Sequence, residues 1–180
     1  MRLSLAALLV ALALLSPASA ARAESGYERD GTVISGSLGA GASGVQGTVD
    51  MPLRGFSADL GVTNKISAGG FFGVASSSYD HGVETLTLGY TIIAVRDSYH
   101  LGDLFDIDKL DLYTGLSLGY NHVTLKSRSG DAVTGAGFGN SVVFGAHAGG
   151  RYFITPAIAG FAEVGYGLGN LTAGASVRFW

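Results

Sequence analysis

Residues 171–179 read Leu-Thr-Ala-Gly-Ala-Ser-Val-Arg-Phe. Leu171, Ala173, Ala175, Val177 and Phe179 share one parity, while Thr172, Gly174, Ser176 and Arg178 share the other. Successive side chains of a strand point to opposite faces, so this stretch is a strand with one apolar face and one small or polar face. The pattern recurs upstream. Phe56, Ala58, Leu60 and Val62 interleave with Ser57, Asp59 and Gly61, and Leu116, Leu118 and Tyr120 interleave with Ser117, Gly119 and Asn121.

Charges fall between such stretches. Residues 31–49, 66–79, 85–95, 112–125, 132–150, 152–162 and 164–177 carry no Asp, Glu, Lys or Arg. One of the two longest, Ala132–Gly150, contains six Gly together with Asn140, Ser141 and His147, which makes a poor helix in any solvent. Strands are therefore expected near Thr32–Ala40, Leu53–Thr63, Lys65–Ala75, within Glu84–Leu101, and near Leu110–Thr124, Gly139–Ile154, Ala157–Leu168 and Leu171–Trp180. The alternation in the fourth changes phase between Tyr90 and Ile93, which predicts a bulge there. Asn64-Lys65, Thr155-Pro156 and Gly169-Asn170 have short-turn chemistry, whereas Gly41–Asp50, Ser76–Gly82 and Lys126–Gly137 read as longer loops. Eight strands joined to their sequence neighbours form an antiparallel meander.

Such a meander closes either as a soluble barrel with a charged exterior or as a membrane barrel with an apolar one. The 180 residues are 47% hydrophobic and only 14% charged, with 29 Gly and no Cys. Average soluble domains carry roughly 25% charged residues. The polar phase here is mostly Gly, Ser, Thr and Ala, which suits a crowded lumen better than a solvated surface. The expected fold is an all-β, closed, antiparallel up-and-down transmembrane barrel of about eight strands, occupying residues 31–180. Tyr99, Tyr113, Tyr152, Phe153, Phe179 and Trp180 are expected near one rim, and Tyr79, Tyr120, Phe138 and Tyr166 toward the other. A net charge of −3 and a pI near 5.7 leave no basic surface for nucleic acid. The absence of Cys excludes disulfides and cysteine-ligated metals.

Residues 1–20 have the layout of a secretory signal peptide. Arg2 precedes an apolar run from Leu3 to Leu15, and Ala18-Ser19-Ala20 supplies small residues for cleavage, with Ala21-Arg22-Ala23 as a second site. About 13 apolar residues fall short of the roughly 20 that span a bilayer. Residues 21–30 are expected to form a loose arm.

Several runs resemble small Gram-negative outer-membrane β-barrel proteins of the opacity-protein and porin-like type. These are Ser98-Tyr99-His100-Leu101, Lys109 to Tyr120, Gly149-Gly150-Arg151-Tyr152-Phe153-Ile154-Thr155 and Phe161-Ala162-Glu163-Val164-Gly165-Tyr166-Gly167. Leu171, Ala173, Ala175, Val177 and Phe179 resemble the carboxy-terminal signal read by the barrel-insertion machinery, although Trp180 extends one residue beyond the usual aromatic end. The resemblance implies a monomer in the outer membrane, exported through the periplasm, with outer-membrane lipid and lipopolysaccharide as its surroundings.

Candidate chemistry is sparse. Asp59, Arg96, His147, Arg151, Glu163 and Arg178 occupy the polar phase of different strands and are expected to form a structural network filling the lumen. Glu163 is expected to bond at least one of Arg151 and Arg178, with Asp59 or water serving the other. His147 has no Ser and acid in a triad-like pattern, and His122-Val123-Thr124 offers Thr where a nucleophile is wanted. Asp103, Asp106, Asp108 and Asp111 read as an acidic periplasmic turn, because the EF-hand glycine and distal Glu are missing. Gly135-Ala136-Gly137-Phe138-Gly139 lacks the Lys-Ser/Thr of a phosphate loop. No catalytic, cofactor or metal site is expected. The expected role is structural or surface interaction; lateral transport of small hydrophobic molecules is the alternative, and lipid modification a more distant one.

Phe179 closes the apolar series of the last strand and Trp180 lies out of phase with it. Phe179→Asp is expected to abolish most membrane insertion, whereas deletion of Trp180 leaves substantial insertion. Quantitative fractionation of the two variants reads the difference, and the reverse result would shift the strand register by one residue.

Overall fold

Alternating sequence becomes closed sheet. The computed structural model describes residues 31–41, 48–81, 84–101, 109–127 and 140–180. The expected leader, the arm over 21–30, Asp103, Asp106, Asp108 and the Gly135–Gly139 run lie outside the described residues. Eight strands are present: β1 (Thr32–Ala40), β2 (Thr48–Gly61), β3 (Ile66–His81), β4 (Glu84–His100), β5 (Leu110–Ser127), β6 (Ser141–Phe153), β7 (Ile158–Tyr166) and β8 (Leu171–Phe179). Each pairs antiparallel with its neighbours in sequence, and β8 returns to β1 to close the barrel.

The closure has a measurable offset. From Arg54 on β2 the register runs through Val74 and Thr91 to His122 on β5. In the other direction it runs through Leu38, Ala173, Ala162 and Gly150 to Leu112, also on β5. His122 and Leu112 are ten residues apart, so one circuit climbs ten residues along a strand. Eight strands with that stagger tilt by about 40° and leave an interior just wide enough for side chains.

The usual inside and outside are exchanged. Among the described residues, twenty-one large hydrophobic side chains are exposed while fifteen polar or charged residues are buried. Val95, Leu116, Phe144 and Tyr166 stand outward on consecutive parts of the wall. An apolar patch of this extent is untenable in water and is the normal exterior of a barrel in lipid.

The lumen has two halves. Toward the turns after β2, β4 and β6 it holds charges, histidines and serines. Toward the other end Leu53, Phe71, Ala75, Leu88, Tyr90, Ile92 and Ala94 pack together, joined by Val123, Leu125 and Leu168. Gly167 has φ +101°, and this left-handed turn folds Leu168 inward after β7.

That division corrects the expected bulge. The β3–β4 and β4–β5 registers run without a shift through Tyr90, Ile92 and Ile93. Strand β4 keeps its phase; what changes is the lumen lining, from apolar Leu88, Tyr90 and Ile92 to polar Arg96, Ser98 and His100. The irregularity lies instead in β2, where the register shifts between Val49 and Met51 and again between Met51 and Arg54. Pro52 sits inside that stretch and cannot donate to a ladder. Ser76, Ser77 and Ser78, expected in a loop, continue β3 because β4 offers Gly89, Leu88 and Thr87 as partners. Tyr113 and Phe153, expected at a rim, are buried in the lumen, in phase with Asp111 and Arg151.

Because the chain has no Cys, single replacements test the phase of β4 cleanly. A lipid-soluble maleimide is expected to label Ile93→Cys and to spare Ile92→Cys in the folded barrel. Labelling of Ile92→Cys alone would restore the bulge.

Candidate functional site

Three lumen glycines organise the polar half. Gly69 pairs with both Asp59 and Arg96, and Gly149 pairs with both Tyr113 and Glu163. A Cβ on Gly69 would lie 2.5 Å from Asp59 Oδ1, and one on Gly149 2.8 Å from the Tyr113 hydroxyl. Each glycine therefore leaves the room through which long side chains from its two neighbours approach each other. Asp59 Oδ1 stands 3.7 Å from Arg96 Nε, and the Tyr113 hydroxyl donates to Glu163 Oε2 at 3.3 Å. Gly115 does the same for His147, whose Nε2 lies 3.0 Å from Ser98 Oγ. A Cβ there would press on the imidazole at 2.8 Å.

Arg96 Nη2 donates to Glu163 Oε2 at 2.8 Å across the lumen. Arg151 Nη1 bonds Asp111 Oδ2 at 3.0 Å, and its Nε donates to Ser176 Oγ at 3.3 Å. Arg178 lies over the Phe153 ring, 3.8 Å from its centroid. Glu163 thus takes its ion pair from Arg96, not from Arg151 or Arg178. The reason is register: Arg151 has Asp111 directly opposite on β5, whereas Glu163 looks across the barrel at β4. Three guanidiniums and three carboxylates face the lumen among the described residues, the sixth group being Asp111. It belongs to β5 and not to an acidic turn.

His100 was not singled out from sequence, yet it has the densest chemistry. Its Nδ1 is 2.7 Å from Asp111 Oδ1 and its Nε2 is 3.0 Å from Ser67 Oγ. A carboxylate only accepts, so Nδ1 carries the proton toward Asp111, and in the neutral ring Nε2 accepts from the Ser67 hydroxyl. The connectivity is that of a Ser-His-Asp relay, but the surroundings are not those of a nucleophile. Ser67 is 1% exposed, the second Asp111 oxygen is held by Arg151, and Ser67 sits within the β2–β3 and β3–β4 ladders that use its neighbouring amides. The relay is a strut. Period two alone would have found it, since Ser98 and His100 share the parity of Arg96, and Asp111 and Tyr113 that of Ser117.

His122 faces outward. Its Nδ1–H donates to Asn140 Oδ1 at 2.8 Å, while the Thr124 hydroxyl donates to the Gly89 carbonyl at 3.3 Å. His122 and Thr124 do not form a base–nucleophile pair. Among the described residues no group of three His, Asp or Glu converges to hold a metal ion.

No protein-family model matches this sequence, and no curated protein is a significant match. Solved structures do match. The N-terminal β-barrel domain of Pseudomonas aeruginosa OprF superposes with a TM-score of 0.55 at 16% identity, over 85% of this chain and 100% of that one. The fold is that of a small outer-membrane barrel. OprG of P. aeruginosa matches the barrel with a TM-score of 0.55 at 13% identity, over 86% of this chain and 98% of its own. Ail, the attachment invasion locus protein of Yersinia pestis, matches with a TM-score of 0.53 at 15% identity, over 85% and 100%. At these identities the likeness to the outer-membrane barrels is one of fold.

Glu163→Gln leaves a buried guanidinium without its strongest partner and is expected to cost about 3 kcal/mol in urea unfolding of the folded barrel. Adding Arg96→Met is expected to recover much of that loss, because the unpaired charge is gone. A double variant no more stable than the single one would show that the pair is not what links β4 to β7.

Proposed function

We propose that this chain is a structural outer-membrane barrel with a sealed lumen, no catalytic activity, and its interactions on the outer wall and exposed loops. The observation that carries the reading is the filling of the lumen. Leu53, Phe71, Leu88, Tyr90 and Ile92 close one half, each at 7% exposure or less, and the ion-paired network closes the other. Among the described residues, a cavity between them, bounded by Ser57, Phe71, Arg96, Phe161, Glu163 and Leu168, has room for about 20 Å³, roughly one water molecule.

A lateral transporter needs an opening in the wall. Among the described residues the pairing lapses over two residues of β4–β5 between Arg96 and Tyr99 and shifts in β2–β3 around Met51, and interruptions this short are too small for a solute to leave by. In this reading residues 1–20 direct export through the periplasm of a Gram-negative cell, and the outward series Leu171, Ala173, Ala175, Val177 and Phe179 is what the insertion machinery reads. The mature barrel is a monomer surrounded by outer-membrane lipid and lipopolysaccharide.

The mature protein is expected in the outer-membrane fraction with heat-modifiable migration on a gel. Reconstituted into planar bilayers, it is expected to pass no current above the lipid background at neutral pH. Recovery of folded protein from periplasm without detergent would overturn the membrane assignment, and steady ohmic conductance would overturn the sealed lumen.

A further inference from the structure

The end of the barrel that carries the β7–β8 turn also carries the connections after β1, β3 and β5, and in the outer-membrane reading above it is the outer face. There the lumen is sealed to different depths on its two sides. At β3 and β4 the seal is deep: Phe71, Ala75, Leu88, Tyr90 and Ile92 fill inward positions through several rows. At β7, β8 and β1 it is, among the described residues, one turn thick. Leu168, between β7 and β8, packs against that apolar cluster and remains partly exposed. Under it lies the cavity of about 20 Å³, whose lining includes Leu168, Gly169 and Thr172 at the turn and Ser57, Arg96 and Glu163 deeper in. An ion pair and two hydroxyls thus share one small chamber with the underside of the turn.

We propose that the β7–β8 turn is a lid, and that the sealed lumen argued above is its closed state. Leu168 swings outward on Gly167 and Gly169, and the Arg96–Glu163 pair then opens to water and small hydrophilic solutes from the outer face. The turn has the build of a hinged segment. Gly167 supplies the left-handed φ of +101° that bends Leu168 inward. Gly119 of β5 leaves the seat for its side chain, since a Cβ there would stand 3.4 Å from Leu168 Cδ2. Asn170 anchors the far side: its N–H donates to the Gly41 carbonyl at 2.9 Å, and its carbonyl accepts from the Gly165 N–H at 3.0 Å. Among the described residues none of the turn's backbone hydrogen bonds falls on Gly167, Leu168 or Gly169. Apolar packing therefore holds Leu168, and it can leave without breaking a strand ladder. The chamber beneath favours wetting. Arg96 Nε, 3.7 Å from Asp59 Oδ1, makes no hydrogen bond in the closed state, and entering water supplies the acceptor.

The test reads access to the chamber. The chain has no Cys, so Ser57→Cys places a single thiol in the chamber wall of the folded mature barrel in detergent. The rate at which a charged methanethiosulfonate modifies that thiol reports how often the lid is open. With Leu168 in place the reaction is expected to be slow. Leu168→Gly, made in the same background, is expected to raise the rate by roughly tenfold through a shifted opening equilibrium. Gly167→Ala, which holds the left-handed turn only under strain, is expected to raise it as well, and Leu168→Met to leave it near the parent rate. Heat-modifiable migration of every variant confirms that the barrel is folded. A slow rate that neither Leu168→Gly nor Gly167→Ala changes would overturn the lid and leave the sealed lumen standing. A fast rate, equal in all variants, would show that solutes reach Ser57 by another route and would remove the sealed lumen on which the lid rests.

Discussion

Eight strands closed with a ten-residue offset enclose a space about one side chain across. Everything inside follows from that width. Room for two long residues at one level on adjacent strands is scarce, so many large inward side chains face glycine or serine on a neighbouring strand, and those that do meet, such as Arg151 and Asp111, bond each other. Gly69, Gly115 and Gly149 are the clearest instances, each vacant where a carboxylate, an imidazole or a phenol lies across it. The glycine that rules out a helix in the sequence is the same glycine that admits the lumen's charges.

The two halves of the lumen use this constraint differently. In the apolar half Phe71 spreads over Gly55 and Gly73, and packing alone fills the section. In the polar half the filling groups are charged, and burial of charge is tolerable only with close partners. Arg96 therefore sits between Asp59 and Glu163, and Asp111 between His100 and Arg151. The outer wall obeys the lipid and not the lumen, which is why Ile92 and Ile93, adjacent and alike, live in opposite environments.

Much of this was legible in the residues. Period-two alternation marks all eight strands, and the scarcity of charge in the polar phase distinguishes a lipid-facing from a water-facing barrel. The inward placement of Asp59, Arg96, His147, Arg151, Glu163 and Arg178 follows from parity on their strands. Pairing does not, because it depends on the offset between distant strands: β7 and β4 are not neighbours, yet Glu163 meets Arg96. Tyr113 and Asp111 were misplaced by composition, an aromatic near a strand end and an acid among acids, where parity points inward for both. The phase break inferred for β4 has the same origin. A rule that sends every apolar residue to lipid fails in this lumen, where Leu88, Tyr90 and Ile92 face inward.

The polar network draws on all eight strands. Ser35 of β1 bonds Ser176 of β8, which accepts from Arg151 of β6; Asp111 and Tyr113 of β5 lead on to His100 and thence Ser67 of β3; Asp59 of β2, Arg96 of β4 and Glu163 of β7 form the second cluster. No half of the chain can build it. While β1 and β8 are apart, the inward face remains a hydrated polar ribbon whose charges have water for company. The network is complete only when that seam is paired, so it acts as a latch on the finished barrel.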